Sequence, residues 1–102
     1  MNEIAIRKRA LQGSKLPGSF LKSESAIPAE LAGHSGLDWD LLDMEHGSGS
    51  WGMLTHLLIA LEGSNTAPAI RLNSNQADYF KRALDLGTHG LMVPNVNTAD
   101  EA

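Results

Sequence analysis

Apolar and polar positions change rhythm several times along the chain, and the clearest change lies at its centre. Asp38-Trp39-Asp40-Leu41-Leu42-Asp43 is short and rich in large apolar side chains, and Met44-Glu45-His46 follows at once. A run of that kind predicts a strand covered on both faces, as parallel strands in α/β proteins are. After Gly47-Ser48-Gly49-Ser50, apolar residues fall at 51, 54, 57, 58 and 61, which is helical spacing, and Gly63-Ser64-Asn65 closes that helix. Upstream, Asn2 to Gln12 reads as a leading helix ended by Gly13 and Pro17, and Gly18 to Leu21 as a first strand. Residues 28–35 read as a helix with Pro28 in its first turn, Leu31 on its apolar side and Gly36 at its C-cap.

Downstream, Ala67 to Leu72 predicts a third strand, with Pro68 near its start where a missing N–H is tolerated. Asn73-Ser74-Asn75 supplies a turn and an N-cap for a helix whose apolar face carries Ala77, Tyr79, Phe80 and Leu84 and which Gly87 ends. Gly90 to Val93 is a fourth strand cut off by Pro94. Asn97 or Thr98 then caps a further helix, with Asp100 and Glu101 well placed in its first turn, and the sequence stops inside that element. Strand and helix in this alternation predict an α/β fold of parallel strands joined by right-handed crossovers, whether the sheet is open or closed. Asp43, Glu45 and His46 would then sit at the C-terminal mouth of a strand, where such sheets bind ligands.

Composition narrows the function classes. A chain of 102 residues, 42% hydrophobic and 20% charged, suits one modest core, and residues 1–102 are read as a single domain. A net charge of −4 argues against a nucleic-acid surface, which needs clustered Lys and Arg. The one basic cluster, Arg7-Lys8-Arg9, reads as a solvated helix face. Without cysteine there is neither a disulfide framework nor thiol chemistry. Leu54 to Leu61 is too short to cross a bilayer, and the N-terminus lacks an apolar signal core, so the expectation is a cytoplasmic protein with no membrane partner. Gly87 and Gly90 stand outside any phosphate-loop pattern. His34, His56 and His89 read as helix-end or packing residues, Trp39 and Trp51 as packing groups, and Met44, Met53 and Met92 as gap fillers.

Taken singly, Asp43 with His46, Arg71 and Asp85 would each pass for surface or salt-bridge groups. Their companions change that reading: Ala29-Glu30-Leu31-Ala32, Gly36-Leu37-Asp38-Trp39, Leu42-Asp43-Met44-Glu45-His46, Ala69-Ile70-Arg71, Ala83-Leu84-Asp85-Leu86-Gly87, Leu91 to Asn97, and Ala99-Asp100-Glu101-Ala102. In that order and spacing, from about Pro17 to the last residue, the series resembles the HpcH/HpaI aldolase and citrate lyase family, and within it the class II pyruvate aldolases. The resemblance implies the first half of a (β/α)8 TIM barrel, about four parallel strands with their helices. It also implies cleavage or formation of a carbon–carbon bond in 4-hydroxy-2-oxo acids through a metal-stabilised pyruvate enolate, the small-molecule partners being a 2-oxo acid and an aldehyde.

Under the resemblance His46 belongs to the proton-transfer machinery, Asp43 orients its imidazole and favours the cationic form, and Arg71 contacts the pyruvate oxygens. Glu45 would act one layer out, through metal-bound water or by fixing the loop, and Asp85 matches a family aspartate near the site. The family's metal ligands, a glutamate and an aspartate on later strands, have no counterpart in this chain; Mg2+, Mn2+ or Co2+ is the implied cofactor. Family members assemble as symmetric oligomers. Two departures stand out: Gly47-Ser48-Gly49-Ser50 replaces a Pro-containing stretch, and Asn95 stands where the family usually has an apolar residue. Half a barrel would leave two open sheet edges, and the alternative expectation is therefore a catalytically inactive truncated fragment of such an aldolase.

Overall fold

A computed structural model describes residues 3–46 and 50–102. Gly47, Ser48 and Gly49, and Asn2 at the start of the leading helix, lie outside the described residues. The elements alternate as expected: α1 (Glu3–Leu11), β1 (Gly18–Leu21), α2 (Ala26–Gly33), β2 (Trp39–Asp43), α3 (Trp51–Leu61), β3 (Ala67–Arg71), α4 (Ala77–Asp85) and β4 (Gly90–Met92). All four strands are parallel and lie in sequential order β1-β2-β3-β4. A doubly wound sheet reverses its strand order at a switch point, whereas a (β/α)8 barrel never does, so this order is that of a barrel segment.

The register sorts side chains by face, because strand residues alternate. Leu42, Met44, Ile70 and Leu72 enter a core with Ala29 of α2, Leu54, Leu57 and Leu61 of α3, and Ala83 of α4. The opposite face carries Trp39, Leu41 and Asp43, with Ala67, Ala69 and Arg71 level with them on β3. Phe20 is level with Leu41, and Met92 with Arg71. Gly18 is fixed by packing: a Cβ there would fall 2.0 Å from the Trp39 ring, so only a residue without a side chain lets the indole cross β1. The indole Nε1 in turn donates to Leu16 O at 2.6 Å.

Several local expectations are corrected. α2 begins at Ala26, two residues early, because the Ser25 hydroxyl accepts from Ile27 N–H and caps it; it ends at Gly33, with His34 at the C-cap and Gly36 beyond it. Leu31 is 67% exposed, since small residues bring α2 close to its neighbours: Ala29 is buried, and a Cβ on Gly33 would meet Ser64 at 3.0 Å. Leu84 is also exposed, and Ala83 holds the buried position on α4. The α4 N-cap is Gln76, without a side-chain cap bond, because Asn75 instead donates to Glu101 O. Arg9 does not merely face solvent, for its guanidinium pairs with Asp38 at 2.6 Å and ties α1 to the start of β2. Met92 fills no gap; it is exposed on the face of Arg71. At the end, Thr98 Oγ1 accepts from Glu101 N and Glu101 Oε2 accepts from Asn97 N, which is a helix-start box holding a single turn.

Candidate active site

Parallel strands bring their C-terminal ends to one rim. Asp43, the last residue of β2, is in register with Arg71, the last residue of β3, and Met92 ends β4 beside it. Glu45 and His46 follow β2 closely, so β2 delivers three chemically active side chains and β3 a fourth, Arg71, at two neighbouring strand ends.

Asp43 is the fixed point. Its side chain is fully buried, and Arg71 donates to it from two nitrogens, Nε to Oδ1 at 3.0 Å and Nη2 to Oδ2. The backbone N–H groups of Glu45 and His46 also donate to Oδ1, at 3.0 and 2.9 Å. A carboxylate with this many donors is stabilised in its ionised form. The Arg71 hydrogen bond, followed by the two backbone bonds and the charge of Arg71, outweighs burial and holds the Asp43 carboxyl at about 2, below the ordinary 3.8. In return, Asp43 pushes the Arg71 guanidinium above its usual range.

The imidazole is arranged differently from the expectation. Asp43 fixes the backbone of His46, not its ring; the ring partner is Arg71, whose Nη2 lies 3.0 Å from His46 Nδ1. A guanidinium only donates, so Nδ1 must accept, which leaves the ring proton on Nε2. Nε2 in turn is 3.5 Å from Glu45 Oε1, and the same oxygen is 3.7 Å from Arg71 Nε. No hydrogen bond among the described residues joins the Asp43 carboxylate to the ring, and Arg71 bridges the two. The His46 side chain is 59% exposed while that of Arg71 is 16% exposed, so the imidazole meets solvent above an anchored guanidinium.

Three residues at the rim were not singled out as site groups by sequence reasoning. The Phe20 ring lies 5.3 Å from the Arg71 guanidinium carbon and packs edge-on against Trp39. Asn73 Nδ2 donates to Met44 O at 3.0 Å and pins the stretch between Asp43 and Glu45. Asn95 Nδ2 approaches Glu45 Oε2 at 3.4 Å. The signal that could have found them is positional: each lies on or just beyond a strand on the face or rim shared with Arg71.

Asp85 is not brought to this rim. It ends α4, five residues before β4 begins, and so lies at the end of the sheet where strands start. It lines a surface hollow between α3 and α4 with Trp51, Gly52, Thr55, Arg82 and Leu86. As for a cation, no group of three or more His, Asp or Glu side chains that could hold a metal is found among the described residues. The donor chemistry agrees: both Asp43 oxygens are already taken up by N–H groups. The described residues do not fit a metal centre by themselves. Among the described residues, no helix is long and apolar enough to cross a membrane.

Residues 17–102 match the family model for HpcH/HpaI aldolase/citrate lyase. The 2-dehydro-3,6-dideoxy-6-sulfogluconate aldolase of Pseudomonas putida is 42% identical over 85 residues, covering 83% of this chain and 33% of that protein. A hydroxypyruvate/pyruvate aldolase of Paraburkholderia phytofirmans is 37% identical over 99 residues, covering 95% of this chain and 38% of its own length. Among solved structures, an HpcH/HpaI aldolase/citrate lyase family protein of Burkholderia cenocepacia superposes with a TM-score of 0.87 at 31% identity, over 95% of this chain and 39% of that one. The chain thus spans between a third and two fifths of the length of these relatives.

Proposed function

Because the chain belongs to the HpcH/HpaI aldolase/citrate lyase family, we propose that it supplies the carboxylate-binding and proton-transfer part of an aldolase site that cleaves 4-hydroxy-2-oxo acids to pyruvate and an aldehyde. The observation that carries this reading is the Arg71 fork, clamped by buried Asp43 and hydrogen-bonded to His46 at the C-terminal rim. Anchoring a guanidinium through two of its nitrogens fixes its plane before any ligand arrives, and a planar fork suits a 2-oxo acid's carboxylate. None of the hydrogen bonds among the described residues uses Arg71 Nη1, which leaves that nitrogen for a substrate oxygen.

Cleavage then needs a proton removed from the 4-hydroxyl group. As that O–H proton leaves, the C3–C4 bond breaks, its electron pair passes into the pyruvate enolate, and the aldehyde departs. The enolate later takes a proton at C3 to become pyruvate. His46 Nδ1 carries the lone pair that accepts the first proton once the exposed ring moves off the clamped Arg71 Nη2 toward the substrate hydroxyl, and a positioned base of this kind contributes about 10²–10⁴-fold. A divalent cation such as Mg2+, Mn2+ or Co2+ would polarise the keto oxygen when bound. The steps assigned to this chain are carboxylate binding and proton transfer alone.

Pyruvate added to the isotope-labelled chain is expected to shift the resonances of the Arg71 guanidinium and the His46 ring, and Arg71→Ala to abolish the response. Unchanged spectra at millimolar pyruvate would reject the reading. The second reading, that the 102-residue chain is by itself inactive, is favoured by the lack of a metal-holding group among the described residues. EDTA-sensitive pyruvate release by the purified chain would reject that one.

A further inference from the structure

Polar contacts at the rim extend beyond Asp43, Arg71 and His46 to the end of the fourth strand. Asn95, just past Pro94, has φ +58 and is the one residue other than glycine with a left-handed backbone among the described residues. Asparagine enters that region more readily than most residues, yet an observed left-handed residue at a strand mouth is a reason to ask what it aims. Here Asn97 Nδ2 donates to Asn95 O at 3.4 Å, and the Asn95 carboxamide reaches across β3 to Glu45, with Nδ2 3.4 Å from Oε2. The other Glu45 oxygen is the one that faces His46 Nε2 and Arg71 Nε. Polar groups therefore run without a break from Asn95 through Glu45, His46 and Arg71 to Asp43.

We propose that Asn95 is a positioning residue: by donating to Glu45 Oε2 it aims Oε1 at His46 Nε2 and so keeps the ring proton on that nitrogen, with the Nδ1 lone pair ready to accept. The inference rests on the reading of His46 as the proton carrier and adds to it the group that sets the tautomer. Two contacts act on the ring from opposite sides. Arg71 donates to Nδ1, and Glu45 Oε1 stands 3.5 Å from Nε2, where its negative charge favours a proton on that nitrogen; both favour one tautomer. Without the Asn95 amide, the Glu45 carboxylate is free to rotate toward water, and only the Arg71 contact remains. The proposal also accounts for the backbone of Asn95, since the left-handed turn places the carboxamide over Glu45.

The test reads the ring directly, in the 15N-labelled chain without substrate, at about pH 8, where an ordinary imidazole is neutral. Ring 15N shifts give the ratio of Nε2–H to Nδ1–H forms. Asn95→Gly tolerates the positive φ but lacks the amide, and Asn95→Asp keeps the shape but repels Glu45. Each is expected to lower the ratio about three- to tenfold, the scale of one lost hydrogen bond. Glu45→Gln should lower it similarly, and the double variant Asn95→Gly with Glu45→Gln should go no lower than Glu45→Gln alone. A ratio unchanged in both Asn95 variants, or additive losses in the double variant, would overturn the proposal. Dispersed amide spectra of Asn95→Gly establish that the fold is intact. Pyruvate is absent from this measurement, so a tautomer shift combined with no pyruvate response at Arg71 would reject the aldolase reading and leave the role of Asn95 standing.

Discussion

Asp43 and Arg71 are paired twice: their backbones are in register across β2 and β3, and their side chains meet through two guanidinium nitrogens on one buried carboxylate. The register comes from backbone hydrogen bonding and the apolar core, so the two groups are placed by folding itself. A carboxylate and a guanidinium pointing from the same layer of one face can then pair at short range. The pair is both a structural clamp at the rim and the support for Arg71 as a ligand donor.

That clamp predicts an acid-side loss of stability. A carboxyl held at about 2 in the folded chain and near its ordinary 3.8 when unfolded contributes stability that is fully present above pH 3.8 and is lost as pH falls through the folded value. The size of the effect is about 2 kcal/mol, from about 1.4 kcal/mol per unit. Urea unfolding followed between about pH 5 and pH 2 should show a slope that Asp43→Asn removes. An identical slope in parent and variant would mean that Asp43 is ordinary.

Asp40 behaves in the opposite sense. It is fully buried on the core-side of β2, Ser19 Oγ donates to its Oδ1 at 2.7 Å, and Oδ2 has no partner among the described residues. Burial raises its pKa, against the smaller lowering by Ser19. With the folded value raised, the folded chain holds the proton more tightly, so this residue costs stability progressively as pH rises from about 3.8 through the raised value. Asp40→Asn should therefore stabilise the chain at neutral pH by about 1–3 kcal/mol, the scale of an unpaired buried polar group. It should also flatten the dependence on the alkaline side of the carboxylate range. A destabilised variant would show that Oδ2 is satisfied in solution.

The strands were legible because each is a short apolar run between turn residues, and the helix Trp51–Leu61 because large side chains recur at 51, 54, 57, 58 and 61. Helix faces built on small residues were not: the buried positions of α2 and α4 are Ala29 and Ala83, while the more hydrophobic Leu31 and Leu84 face outward. Hydrophobicity marks what can be buried, and close approach of backbones decides what is. At the site, family resemblance drew attention to Asp43, His46 and Arg71, which the register brings together. It could not reveal that Arg71 lies between Asp43 and the His46 ring, because that depends on two side-chain torsions and not on spacing. Asp85 ends α4 and lines the hollow between α3 and α4, so what it does there was not legible from its motif.

Gly18 gives a packing prediction. Alanine at this position would place Cβ within 2.0 to 2.5 Å of three Trp39 ring atoms, so the indole must leave its place and lose the bond from Nε1 to Leu16 O. Overpacking of this kind costs about 1–3 kcal/mol, or more where a hydrogen bond is lost as well. Gly18→Ala should lower the urea midpoint and shift Trp39 emission, and Trp39→Leu in the same chain should recover part of the loss. Should Gly18→Ala match the parent in midpoint, the indole does not cross β1 in solution.

His46 and Asp43 should separate chemistry from stability. The imidazole is largely exposed and held by contacts at its edge, whereas Asp43 is buried and accepts from Arg71 and two backbone N–H groups. His46→Ala is therefore expected to change stability by no more than about 0.5 kcal/mol, as for surface substitutions. If the imidazole moves the 4-hydroxyl proton, the same change should lower pyruvate release from a 4-hydroxy-2-oxo acid by about 10²–10⁴-fold, with substrate binding nearly unaltered. Asp43→Asn should instead weaken both, because it loosens Arg71 and the backbone under His46 together. The decisive comparison is turnover against binding: a His46→Ala protein with parental turnover would remove the imidazole from the mechanism, and one with lost pyruvate binding would make it a ligand contact.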